Sequence, residues 1–293
     1  MTREEFNKRV ASGTLLLDGA MGTELMRAGL PQGHLPEEWL MTRAEAIAAV
    51  SAGYAGAGSD AVYACTFGAN RINLAKHGLG EKVAEVNRAG VDTARKAAPG
   101  KMVFGSVGPI GEMLEPYGDI AAEDAVAAFS EQIAALLASG VDAIVSETNT
   151  NLEEAVMAVS AARKTGVIAI LASMAFEGAD KGYRTVMGTT PEQAAGDLLA
   201  AGADAIGINC GLGGVSALEV VKRMKAAHPG AIIIAKPNAG LPSLSGGQLS
   251  YATGPEDFAR EGLALRDSGA SILGGCCGTT PAHLGALSKA LKR

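Results

Sequence analysis

The sequence predicts an α/β protein, a (β/α)8 barrel of the TIM type forming a single domain over residues 1–293. Three observations lead there. Apolar, β-rich runs alternate with segments of helical period along the whole chain. The number of such units is eight. One helix-to-strand turn recurs before every second strand.

Strands are expected near Leu15–Asp18, Ala61–Thr66, Met102–Ser106, Ala143–Glu147, Ile168–Met174, Ala205–Cys210, Ala231–Lys236 and Ser271–Gly274. Between them, apolar residues fall at helical spacing, as in Val83, Val86, Gly90, Val91 and Ala94. Thr42-x-x-Glu45, Thr150-x-x-Glu153 and Ser216-x-x-Glu219 fit capping boxes. Thr190-Pro191 and Thr280-Pro281 place Thr at a cap and Pro in the first turn. Thr2 to Ser12 reads as a short amphipathic helix ahead of the first strand, covering the bottom of the barrel.

The recurring turn is Ala57-Gly58-Ser59-Asp60, Ser139-Gly140-Val141-Asp142, Ala201-Gly202-Ala203-Asp204 and Ser268-Gly269-Ala270-Ser271. Its Gly suits the left-handed position just past a helix. These turns precede strands two, four, six and eight. Strands three, five and seven are entered through Pro99-Gly100, Thr165-Gly166 and Pro229-Gly230. An open doubly wound sheet would also alternate strands with helices, but eight evenly spaced units favour closure.

A chain of 293 residues buries roughly three quarters of its unfolded surface and needs no disulfide staples. Only 4% of residues are aromatic, while 39 are glycine, which suits closely packed elements and tight turns. The net charge of −6 is dispersed, with no basic patch for nucleic acid or an anionic membrane. The N-terminus is polar, unlike a signal sequence, and no apolar run reaches the ~18–20 residues of a membrane span. Four cysteines in such a chain point to a reducing cytoplasm.

The chemistry is concentrated late in the chain, at Gly274-Gly275-Cys276-Cys277-Gly278. Adjacent side chains on a strand point to opposite faces. Two neighbouring cysteines can therefore serve one site only where the backbone leaves the strand, and the flanking glycines permit that. A second apolar run ends in Asn209-Cys210-Gly211. Cys210, Cys276 and Cys277 thus suggest three thiolates around one metal. Three sulfurs with an open fourth position describe a catalytic zinc site rather than a structural one. Bound there, an incoming thiol would ionise at neutral pH without a protein base. Inert packing and a redox-active Cys276–Cys277 pair are the competing readings; the flanking glycines and the second cysteine-bearing strand end weigh against the first, and the second gives Cys210 no task. Cys65 reads as an ordinary buried thiol, and the four histidines as surface or capping residues. In a barrel of this kind the strands' C-terminal ends form the site. Those ends also supply Asp18, Thr66 and Glu147.

At these residues the sequence resembles the homocysteine S-methyltransferase family. The resemblance runs through Asp18-Gly19-Ala20-Met21-Gly22-Thr23, Thr66-Phe67-Gly68-Ala69-Asn70, Gly105-Ser106-Val107-Gly108-Pro109, Glu147-Thr148, Gly207-Ile208-Asn209-Cys210, Pro237-Asn238-Ala239-Gly240 and Gly274-Gly275-Cys276-Cys277-Gly278-Thr279. It implies a barrel in which Cys210, Cys276 and Cys277 bind zinc and the sulfur of homocysteine becomes the fourth ligand. It further implies that Glu147 holds the substrate ammonium, that Asp18, Gly19 and Thr66 line the amino-acid pocket, and that Asn209 supports the zinc shell or the substrate. The stretches Thr66–Asn70 and Pro237–Gly240 most resemble the homocysteine-binding domain of cobalamin-dependent methionine synthases. The implied product is methionine, and the implied donor is methylcobalamin carried in trans on a separate corrinoid protein. Betaine or S-methylmethionine as donor, another small thiol as acceptor, and a non-catalytic zinc or thiol-redox module are the alternatives.

Overall fold

The computed structural model describes residues 1–166, 168–245 and 248–292. Eight parallel strands form one sheet: β1 (Leu15–Leu16), β2 (Ala61–Tyr63), β3 (Met102–Val107), β4 (Ala143–Asn149), β5 (Ala169–Met174), β6 (Ala205–Gly213), β7 (Ile232–Asn238) and β10 (Ala270–Leu273). A two-stranded antiparallel hairpin, β8 (Pro242–Ser245) with β9 (Gln248–Tyr251), follows β7. The sheet runs in chain order from β2 to β7, then β10, then β1. The barrel is thus nearly closed, and the β1–β2 seam is joined largely by side chains. Asp60 N–H donates to Leu16 O at 2.7 Å, Leu16 N–H donates to Asp60 Oδ2 at 2.9 Å, and Tyr63 N–H donates to Asp18 Oδ2 at 2.6 Å.

Side chains alternate between two apolar cores. Leu15, Leu17, Phe104, Val145, Leu171, Ile234 and Ile272 point into the barrel, while Val62, Val103, Ile144, Ile170, Ile206 and Ile233 face the surrounding helices. The first helix, Arg3–Ala11, sits at the bottom, and its fully buried Phe6 joins the inner core there. The recurrent turn has a structural explanation. Gly58, Gly140, Gly202 and Gly269 have φ of 106°, 78°, 105° and 108°, a conformation that glycine adopts without strain. In three of the turns the Asp then ties its strand to the preceding one. Asp142 accepts from Val103 N–H at 2.7 Å, and Asp204 accepts from Ile170 N–H at 2.9 Å, as Asp60 does from Leu16.

Several local expectations need correction. The helix Ala44–Ala57 starts after Arg43, so Thr42 caps nothing. Asn151 rather than Thr150 caps Leu152–Lys164, and Ser216 lies inside the helix Gly214–Ala227, which starts after Gly213. Thr190 does cap Pro191–Ala200, with Gln193 completing the box, and Thr280 pairs with His283 at the last helix. The strands β1 and β2 stop short of Asp18 and Thr66, whereas β6 runs on past Cys210. The hairpin β8–β9 and the short helices Gly22–Arg27 and Arg71–Ala75 in the strand-to-helix connections were not foreseen. Among the described residues no helix is long and apolar enough to cross a membrane.

Candidate metal centre and substrate pocket

Two strands bulge where the chemistry sits. The β4–β5 register shifts between Ser146 and Asn149, and the β6–β7 register between Asn209 and Gly213. At those places Thr148 and Cys210 take φ of 58° and 59°, a left-handed backbone that costs on the order of 1–3 kcal/mol in a residue with a side chain. The bulge turns Cys210 toward the mouth of the barrel instead of leaving it in the strand's alternation.

The Cys276–Cys277 segment is held from three sides. Gly275 N–H donates to Asp18 O at 2.9 Å, Cys276 N–H to Pro237 O at 2.9 Å, and Ala239 N–H to Cys277 O at 3.0 Å. Gly278, at φ 81°, lies so close to Tyr251 of the hairpin that an added Cβ would stand 2.2 Å from its Cγ. The glycines around the cysteines therefore serve close packing as well as the turn.

The three sulfurs converge. Those of Cys210, Cys276 and Cys277 lie within 4.8 Å of one another, and Cys210 and Cys277 are 3.8 Å apart. Two sulfurs each about 2.3 Å from a tetrahedral zinc would stand about 3.8 Å apart, so the donor set fits that ion. Among the described residues no other trio of His, Cys, Asp or Glu converges in this way. Hydrogen bonds from Cys276 and then Cys277 pull the Cys210 thiol down to about 3. The same interaction with Cys210 pushes Cys276 up, and Cys277 up to about 11. Three clustered thiols release one proton readily and the others only with a cation to balance them. Asn238 adds a smaller influence in the same direction on Cys210, and its buried Oδ1 has no partner among the described residues.

Beside the cysteines is a cavity of about 310 Å³, lined by Asp18, Gly19, Ser106, Glu147, Thr148 and Lys236 and, toward the lip, by Glu37 and Phe67. Lys236, its side chain 4% exposed, donates to Asp18 Oδ1 at 2.9 Å and stands 3.5 Å from the centre of the Tyr63 ring. Burial opposes its charge, but Asp18 and Glu147 outweigh burial and leave the ammonium above its ordinary value. With Tyr63 N–H on one oxygen and Lys236 on the other, Asp18 is already neutralised.

Glu147 is not. Its direct partners are neutral, Ser106 Oγ donating at 2.5 Å and Asn209 Nδ2 at 3.2 Å, and burial raises its carboxyl above the usual range although the nearby Lys236 charge opposes this. Glu37 is more extreme. One oxygen accepts from Gly68 N–H at 2.5 Å, the other is buried without a partner among the described residues, and burial lifts the carboxyl to about 7.

The structure thus brings Asp18, Gly19 and Glu147 to one cavity with Cys210, Cys276 and Cys277. Thr66 is not brought there. It is fully buried, donates to Ser106 O at 2.8 Å, and packs toward Gly90 behind the wall. Asn209 also sits behind the wall, bonded to Glu147, Thr148 and Ser173. Cys65 is buried, and burial pushes its thiol up. Sequence reasoning missed Lys236, Ser106 and Glu37. A charged residue closing an apolar barrel strand was a readable signal for Lys236. Glu37, in the short 3-10 helix Pro36–Glu38, gave none.

The sequence profile of the homocysteine S-methyltransferase family matches residues 15–291. A methionine synthase of Mycobacterium tuberculosis (strain ATCC 25618 / H37Rv) is 31% identical over 287 residues, covering 91% of this chain and 24% of that protein. A methionine synthase of Mycobacterium leprae (strain TN) is 29% identical, covering 97% of this chain and 25% of that protein. The chain thus spans about a quarter of the length of these curated relatives. Among solved structures, the metallated homocysteine methyltransferase MmuM from Escherichia coli superposes with a TM-score of 0.78 at 26% identity, covering 94% of this chain and 96% of that one. The profile spans all eight barrel strands and all three converging cysteines, so the chain belongs to the homocysteine S-methyltransferase family.

Proposed function

We propose that the protein is a zinc-dependent methyltransferase that converts homocysteine to methionine, with Cys210, Cys276 and Cys277 holding the zinc. The observation carrying this reading is the convergence of three sulfurs within 4.8 Å beside a cavity with an under-neutralised carboxylate. The names of the relatives support the reaction, and the metallated form of the MmuM enzyme supports a metal in this fold. When bound, zinc supplies a Lewis acid that keeps an incoming thiol ionised at neutral pH.

The protein's own residues do the rest. Glu147 takes the substrate ammonium, because Asp18 is already engaged by Lys236. Ser106 holds the Glu147 carboxylate in place for that contact. In the stretch Gly19–Met21 the Ala20 N–H already donates to Thr279 Oγ1 at 3.1 Å, so the substrate carboxylate falls to the N–H groups of Gly19 and Met21. Fixing both ends of the zwitterion leaves the sulfur one place to lie, which converts nucleophile and methyl donor into an aligned pair. The donor in this reading is methylcobalamin on a separate corrinoid protein that reaches the cavity from the mouth.

Two measurements test the reading. Purified protein binds one zinc, and Cys276→Ala loses both the metal and methionine formation; a metal-free variant at wild-type rate sinks the proposal. A panel of methylcobalamin, betaine, S-methylmethionine and S-adenosylmethionine with homocysteine then addresses the donor. Robust turnover with betaine refutes the corrinoid assignment.

A further inference from the structure

Asn209, fully buried at the bulge of β6, touches both ends of the site. Its Oδ1 accepts from Thr148 N–H at 2.7 Å and from the Ser173 hydroxyl at 2.8 Å. Its Nδ2 faces three acceptors: Thr148 Oγ1 at 2.6 Å, Glu147 Oε2 at 3.2 Å and Cys276 Sγ at 3.8 Å. A main-chain N–H only donates and a carboxylate only accepts, so these partners fix which way round the amide sits. An amide nitrogen has two hydrogens. Three acceptors share them, and the sulfur, farthest away, receives the least.

We propose that Asn209 is a positioning residue coupling the amino-acid end of the pocket to the sulfur end: an ammonium docked on Glu147 draws that carboxylate to itself, and the Asn209 hydrogen for which the carboxylate and the Cys276 sulfur compete is left to the sulfur. The inference rests on the reading of Glu147 as the ammonium's partner. The amide is well held for the task. Oδ1 is pinned by two donors, one of them the N–H of Thr148, which the bulge has freed from the strand ladder. Only the Nδ2 side has a choice of partners. A hydrogen bond to a ligating sulfur withdraws electron density from it and makes a bound metal a stronger acceptor for another thiolate. An amino-acid thiol would thereby prepare the centre that receives its own sulfur. A plain thiol, lacking the ammonium, would not.

The test uses cobalt(II) as a spectroscopic replacement for zinc and L-2-aminobutyrate, which has the amino-acid end of homocysteine but no sulfur. In wild type, 2-aminobutyrate moves the sulfur-to-cobalt absorption to shorter wavelength. Cobalt in turn changes the Kd of 2-aminobutyrate by about fivefold or more, the lower end of ordinary coupling between sites. Butyrate, without the ammonium, leaves the absorption in place. Asn209→Asp keeps the acceptor oxygen and loses the Nδ2 donor, and it binds cobalt without showing the shift. A wild-type protein that binds 2-aminobutyrate with no shift, an equal shift with butyrate, or an undiminished shift in Asn209→Asp each overturns the coupling. The butyrate comparison needs no variant and holds whatever the variant's stability. Failure of 2-aminobutyrate to bind wild type at all is a different result: it removes the Glu147 assignment, and the coupling falls with it.

Discussion

At the bottom of the barrel, Asp60, Asp142 and Asp204 each have a main-chain N–H and an arginine: Arg9, Arg95, and Arg163 with Arg3. At the mouth, Glu147 has a hydroxyl and an amide, and Glu37 has one N–H and a bare oxygen. The same residue types thus lie at opposite ends of the same strands in opposite electrostatic conditions. Acids at the bottom are fully compensated and hold strands in register. Glu147 and Glu37, at the mouth, are desolvated with no ion pair among the described residues, a state a ligand can relieve. The lesson is that a buried acid's function is read from its missing partners, not from its burial.

The contrast can be broken most forcefully at the bottom. Asp204→Ala removes three hydrogen bonds to one carboxylate, from Arg3, Arg163 and the N–H of Ile170, and is expected to destabilise the fold by about 3–5 kcal/mol in denaturant titrations. Methionine formation per folded molecule should stay at the wild-type level. A catalytic defect instead would mean that the two ends are not separate.

Next in size is Glu37. Its folded carboxyl, at about 7, lies above the ordinary 4.5, so the folded state holds its proton where the unfolded state has lost it. The contribution is therefore complete below pH 4.5 and is lost as pH rises toward about 7, a change of about 3 kcal/mol. Glu37→Gln keeps an oxygen for Gly68 N–H and cannot ionise, so it should gain on wild type across that window. Parallel stability curves for the two proteins would show that Glu37 does not carry an uncompensated charge.

Glu147→Gln sharpens the comparison from the mouth. Removing the charge opposite an ammonium costs about 1.5–3 kcal/mol, or roughly ten- to hundredfold in homocysteine affinity, with little change in Tm. An unaltered affinity would place the ammonium elsewhere. The smallest effect lies outside both ends: Thr190→Ala removes the cap on Gln193 N–H and should lower stability by about 1 kcal/mol without touching activity.

Much of the site was legible because it depends on local chemistry. Glycines flanking Cys276 and Cys277 announced a backbone that had left the strand, and Asn209-Cys210 announced a polar strand end. Thr66 was misplaced for a physical reason: β2 ends at Tyr63, so the chain has already turned when it reaches Thr66, and the hydroxyl is spent on Ser106 O. Asp18 was identified as a pocket residue but its neutralisation was invisible, since Lys236 lies 218 positions away.

What the sequence by itself determined is the barrel and the sulfur-rich end of it. Alternating periods, glycine at the left-handed turns and apolar runs closed by polar residues are properties of neighbours along the chain, and neighbours are what a sequence displays. What only the tertiary structure decided is the charge state of the pocket: which acid is paired, which is bare, and which amide joins Glu147 to Cys276. Those outcomes depend on distances across a nearly closed sheet and on the burial of side chains at its mouth, which no stretch of residues encodes alone.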